Sequence, residues 1–342
     1  MNRRTHTFFL PLLMLSLLFL LTACQPTSTR VAFLLYDGDD TFISELIERI
    51  EVNTPASLTY EVHDANNSQA KQNQQIVRLI EQKVDLLIIN AVDRLAARSI
   101  VEKSNQAGVK VIFFNREPLA DALEYSNDVY YVGADADSLG RKQAELAAEV
   151  FADMATSPYD KNGDGIIQLV ILKGEQGHQD AEKRTENCVS RLHELGYATE
   201  VLAIESANWV RSEASEVMAS LYQDHDQAIE LVFANNDDMA LGALDYLFQE
   251  GIFTAAGDPL ANPFFIIGVD GTKVGLTSIG EGELFGTVLN DAEKQADAIL
   301  TLIDYLLEDR SIDAFPYPIT NNHYIYIDGA IITAANLHDF RK

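Results

Sequence analysis

Cysteine is almost missing from this chain: Cys24 and Cys188 are the only two in 342 residues. Cys24 closes an N-terminal leader, so Cys188 stands alone in the body and no internal structural disulfide is available. Positive charge is scarce, with 25 Lys and Arg against 52 Asp and Glu and a formal charge of −27. That balance argues against nucleic acid as a partner, which requires a basic face. Several catalytic signatures are also missing. No G-x-G-x-x-G follows the first apolar strand, and no P-loop GKS/T, G-x-S-x-G elbow or HExxH occurs. Glycosidase carboxylates stay open at this level, because Asp and Glu are plentiful. Tryptophan occurs once, at position 209.

What is present begins with a leader. Arg3 and Arg4 precede an apolar run from Phe8 to Leu21 that is shorter than the ~20 residues of a spanning helix, which predicts a signal peptide over 1–23. Leu21-Thr22-Ala23-Cys24 is similar to the lipobox of bacterial lipoproteins, making Cys24 the expected lipidated N-terminus. Residues 24–30 (CQPTSTR) then form a polar linker. Loss of 1–23 removes two Arg and no acid, so the mature balance becomes 23 − 52 = −29.

The body alternates short apolar or β-branched runs with helical periodicity, the pattern of parallel sheets covered on both faces. The first series is 31–36, 58–62, 86–89, 109–114 and 130–132; the second is 169–172, 199–204, 231–234, 264–268 and 287–289. Two series predict an α/β protein of two doubly wound lobes, with a boundary near Gly133 to Asp137.

Between the series, Asp160, Asn162, Asp164, Ile166 and Gln168 occupy positions 1, 3, 5, 7 and 9 of a calcium loop, with Gly165 at position 6. Ca²⁺ gathers six to eight oxygens, and alternate residues of a tight turn supply them, Ile166 through its carbonyl. Position 12 is Ile171 and not a bidentate Glu, so a carboxylate must come from elsewhere. Beyond the next apolar run, Asp180 and Arg184 stand at i, i+4 and share a helix face.

Polar residues cluster directly after the strands: Asp37 to Asp40, Asn115 to Glu117, Gly174 to Asp180, Asn235 to Asp238, Asp270, and Asn290 with Asp291. Ligands of open α/β sheets sit outside those carboxyl ends. Asn, Asp, Arg and His without a cysteine nucleophile suit a neutral polyhydroxyl compound, whose every OH both donates and accepts. Phe42 and Trp209 are candidate rings for its C–H faces.

Through YDGDDTF (36–42), VIFFNREP (111–118), DKNGDGIIQLVILKGEQGHQDAEKR (160–184), ANNDDMALGA (234–243), IIGVDG (266–271) and GTVLNDAEKQA (286–296), the chain resembles bacterial galactose/glucose-binding proteins of the periplasmic-binding-protein family. The resemblance implies a type I fold with a three-segment hinge crossed near Ala134, Asn290 and Asn322. It divides the chain into a first lobe of 31–134 plus 291–322 and a second of 135–290 plus 323–342. It implies hydroxyl ligands at Asp40, Asn115, His178, Asp180, Arg184, Asn236, Asp270 and Asn290, with Phe42 and Trp209 stacking on the sugar. It assigns the missing calcium carboxylate to Glu230, making Ca²⁺ a structural cofactor. The implied protein is a non-enzymatic, monomeric substrate-binding lipoprotein. It delivers sugar to an ABC transporter permease from the outer face of the cytoplasmic membrane, or else presents occupancy to a chemoreceptor or sensor kinase.

Overall fold

The computed structural model describes residues 30–254 and 257–341. The leader, Cys24 and the linker up to residue 29 lie outside the described residues. The first lobe is built on β1 (Val31–Leu35), β2 (Tyr60–Asp64), β3 (Leu86–Ile89), β4 (Lys110–Phe114) and β5 (Val129–Ala134), with helices α1 (Thr41–Asn53), α2 (Gln69–Glu81), α3 (Ala97–Gln106) and α4 (Ala120–Leu123). The second carries α5 (Ala136–Val150), β6 (Ile166–Lys173), α6 (Gln179–Glu194), β7 (Ala198–Ser206), α7 (Arg211–His225), β8 (Leu231–Ala234), α8 (Asp237–Gln249), β9 (Phe265–Asp270), α9 (Lys273–Glu281) and β10 (Gly286–Leu289). The chain then returns as α10 (Ala292–Leu307) and ends in β11 (Tyr324–Ile327) and β12 (Ile331–Thr333).

Each lobe holds a six-stranded sheet, in the orders β11-β5-β4-β3-β1-β2 and β12-β10-β9-β8-β6-β7. All pairings are parallel except β10 with β12. Central strands of such a sheet are apolar on both faces, and β1, β3 and β8 are buried throughout. Phe42, Ile43, Leu46 and Ile50 of α1 pack with Ile299, Leu302 and Ile303 of α10 on one face of the first sheet. Ile76 and Leu79 of α2 cover the other with Ile100 of α3. In the second lobe α5 and α6 share one face and α7, α8 and α9 the opposite one. Cys188 is a fully buried member of the α5–α6 layer.

The third crossing differs from the expected position. Tyr324 to Ile327 pair in parallel with Tyr131 to Ala134, so β11 belongs to the first sheet and the chain crosses at residues 328–330. Asn321 and Asn322, both at positive φ, form the turn that admits β11 and do not mark the crossing. The first lobe therefore extends to Ile327, and the second regains the chain at β12.

In both sheets the strand order reverses beside the first strand of the lobe, between β1 and β3 and between β6 and β8. That switch point is where a crevice opens outside the carboxyl ends. The two crevices face each other.

Candidate functional site

The facing crevices form one cleft lined by Tyr36, Asp40, Phe42, Asn115, Arg116, His178, Asp180, Arg184, Trp209, Asn236, Asp270 and Asn290. It encloses about 330 Å³ of free space, part of it open to solvent. Every sequence-predicted hydroxyl ligand lies on this wall, as do Phe42 and Trp209. Tyr36 and Arg116 are additional. Their signal was position, since each stands at the carboxyl end of a strand.

Local folding rules place three of these side chains. Asp40, His178 and Asn236 are the N-caps of α1, α6 and α8, accepting from the amides of Ile43, Asp180 and Met239. A cap satisfies an otherwise unpaired helix amide and contributes about 1 kcal/mol. The helix starts consequently converge on the cleft with their positive dipole ends toward it. His178 uses Nδ1 for its cap, 3.1 Å from the Asp180 nitrogen. Burial first, and then the Arg116 and Arg184 guanidiniums, hold its pKa well below the usual value. The ring is thus neutral, with its proton on Nε2.

Arg184 is the charged centre of the second lobe. Its Nη2 donates to Asp180 at 2.9 Å and its Nη1 to the Asn235 carbonyl at 2.7 Å, while Asp270 Oδ1 lies 3.8 Å from Nη1. All three charged side chains are buried, and the Arg184 Nε is buried without a protein partner. Burial outweighs the guanidinium and raises both Asp180 and Asp270 above the ordinary carboxylate range. Asp270 is held at φ 120, a region that non-glycine residues rarely adopt. Asn290 fixes its side chain by donating to Oδ1 at 3.1 Å, and Gln295 in turn donates to the Asn290 side-chain oxygen.

In the first lobe, Asn90 donates to the Asn115 side-chain oxygen at 3.0 Å, which leaves the Asn115 amide for the cleft. The Tyr36 hydroxyl donates to Asp40 at 2.6 Å. The Trp209 ring lies against Gly174, where an added Cβ would fall 2.3 Å from it, and His178 meets it edge-on with centroids 5.0 Å apart. Trp209 is also fixed from the peptide side, since its carbonyl accepts from Asn236 at 3.2 Å.

The lobes touch on both sides of the cleft. Thr41 donates to Asp238 at 2.5 Å, and Lys273 reaches Glu45 through its amide and Glu48 through its side chain. On the opposite side Arg94 meets Gln179 and Arg116 meets Glu175. The structure is therefore a closed arrangement of the two lobes.

Far from the cleft, at the start of β6, the loop 160–168 turns through Gly163 and Gly165, both at positive φ. Asp160 and Asp164 accept from the loop's own amides, and Glu230 accepts from the Lys161 amide at 2.8 Å and the Gln168 amide at 3.2 Å. Gln168 Oε1 is buried without a partner. Among the described residues no three His, Cys, Asp or Glu side chains stand in an arrangement ready to hold a metal. The donor set is nonetheless all oxygen, and its orphaned acceptor suits a hard cation.

Residues 31–311 match the family model described as a periplasmic binding protein domain. The chain is 35% identical to the D-galactose/methyl-galactoside binding periplasmic protein MglB of Haemophilus influenzae, over 94% of each chain. It is 30% identical to the ribose import binding protein RbsB of Bacillus subtilis, over 73% of this chain and 72% of that one. In fold it is similar to a Caulobacter myo-inositol binding protein, with a TM-score of 0.77, 20% identity and coverage of 92% of this chain and 96% of that one. These relatives are solute-binding proteins, not enzymes. Among the described residues no helix is long and apolar enough to cross a membrane. The chain belongs to the extracytoplasmic periplasmic binding protein family and has the type I fold of its sugar-binding members.

Proposed function

We propose that this protein captures D-galactose or D-glucose between its lobes and delivers it to an ABC transporter. The observation that carries this reading is the buried Arg184 with Asp180 and Asp270, set in a wall with the side chains of Asn115, Asn236 and Asn290. Carboxylates accept, the guanidinium and amides donate, and a hexose hydroxyl does both, so one wall can engage a ring of neighbouring hydroxyls. Guanidinium and carboxylate charges oppose each other within the wall, which favours a neutral solute over an ion. Phe42 from the first lobe and Trp209 from the second offer apolar faces for the C–H surfaces of a pyranose. The relative MglB, whose name gives D-galactose and methyl-galactoside, supports the choice of hexose.

Calcium bound by Asp160, Asn162, Asp164, the Ile166 carbonyl, Gln168 and Glu230 belongs to the same reading. A cation would supply charge to a loop rich in carboxylates and would tie β6 to β8, whose far ends carry the cleft residues. It would take no part in ligand contact. Cys24 would carry the lipid that keeps the protein at the outer face of the cytoplasmic membrane.

Calorimetric titration of delipidated protein against a panel of hexoses and pentoses tests the sugar reading. D-galactose or D-glucose should bind, and Asp270→Asn should weaken binding at least tenfold. A panel without any binding sugar would refute it.

A further inference from the structure

Arg116 is buried in the cleft wall, yet its hydrogen bonds lead away from the cleft. Its guanidinium lies over the Tyr36 ring, 3.7 Å from the centroid, and Tyr36 holds Asp40. One of its nitrogens donates to the Val92 carbonyl at 2.8 Å, within the first lobe. The other donates at 2.8 Å to Glu175, which stands in the second-lobe loop between β6 and His178. Other cross-lobe contacts include a hydroxyl on Asp238, Lys273 on Glu45 and Glu48, and Gln179, which meets both Arg94 and Glu117. Lys273 and Glu48 are both more than half exposed, so that pair is screened by water. The Arg116–Glu175 pair has one partner desolvated, with 5% and 40% side-chain exposure.

The geometry points to Arg116 as a positioning residue that couples sugar occupancy to lobe closure: Tyr36 links it to the sugar-facing Asp40, and Glu175 latches it to the other lobe. The pair can form only when the lobes meet, so it stabilises the closed state selectively and slows ligand release. It also sets a positive charge beside His178, which supports the neutral form of that ring.

The inference rests on the sugar-binding reading, and stopped-flow Trp209 fluorescence with D-galactose or D-glucose separates the two. Glu175→Gln removes the latch charge from the outer loop and leaves the cleft side chains in place. Its dissociation rate should rise threefold to tenfold, with the association rate within twofold of wild type and a weaker salt dependence of release. Arg116→Ala should weaken binding at least tenfold, and adding Glu175→Gln to it should change nothing further, the signature of a coupled pair. A dissociation rate unchanged in Glu175→Gln, or an additive double variant, would overturn the latch while sugar binding stands. Wild-type protein that binds no sugar would instead remove the reading beneath it.

Discussion

Arg184 donates to Asp180, one helical turn before it, across 2.9 Å in a setting where the side chains are 3% and 4% exposed. A pair so fully desolvated is a poor source of stability, because removing two ions from water costs as much as their attraction returns. Its presence is explained by the cleft it faces. Arg184→Ala would leave Asp180 and Asp270 buried without their counter-charge. Denaturant unfolding should show a loss of about 3–5 kcal/mol, moderated by protonation of the two acids, together with loss of sugar binding. A variant as stable as wild type would show that the carboxyls carry no charge even beside Arg184.

The loop that opens β6 should bind calcium. Chelation should lower the melting temperature and Ca²⁺ should restore it, with a stabilisation of about 2.7 kcal/mol once the ion exceeds its Kd a hundredfold. Glu230→Gln should weaken this response. Equal melting temperatures with and without chelator would exclude a structural ion.

Asp237, next to Asn236, accepts from Thr287 and Thr272 in a site closed to water. Burial raises its carboxyl from 3.8 to about 7. Between those values the folded chain holds a proton that the unfolded chain has released, so stability falls as pH rises through that window and recovers as pH drops. The slope is at most about 1.4 kcal/mol per pH unit for one proton. Urea unfolding of wild type and Asp237→Asn from pH 4 to 8 should reveal it as a difference, flat if Asp237 ionises normally.

The Cys188 thiol is wholly buried and pushed up to about 12 by desolvation. A chain with Cys24→Ser should therefore show no reaction with a thiol reagent under native conditions and one equivalent in denaturant. Rapid native labelling would contradict the packing of α5 on α6.

The runs 86–89 and 231–234 coincide with β3 and β8 because strands buried on both faces leave uninterrupted apolar sequence. The cleft residues were legible for a related reason: polar residues that end a buried strand have little to do but cap the next helix or face a ligand. Asp40, His178 and Asn236 do the first, and their place on the cleft wall suits them to the second. Tyr36 and Arg116 escaped because an aromatic and an arginine at a strand end also fit ordinary packing, and only the cation over the ring shows their association. The third crossing, placed near Asn322 by the resemblance, falls instead at 328–330, a segment too short to stand out in the sequence between β11 and β12. The convergence of loop 160–168 on Glu230 depends on strand register, which places Glu230 beside Gln168 and leaves no trace in local sequence.

Trp209 is the only tryptophan and forms part of the cleft wall, so its emission reports cleft occupancy without labels. Titrating delipidated protein with D-galactose and with D-glucose should give a saturable change at micromolar or lower concentration, lost in Trp209→Phe. Folded protein that responds saturably to neither sugar would contradict the assignment of this cleft to a hexose.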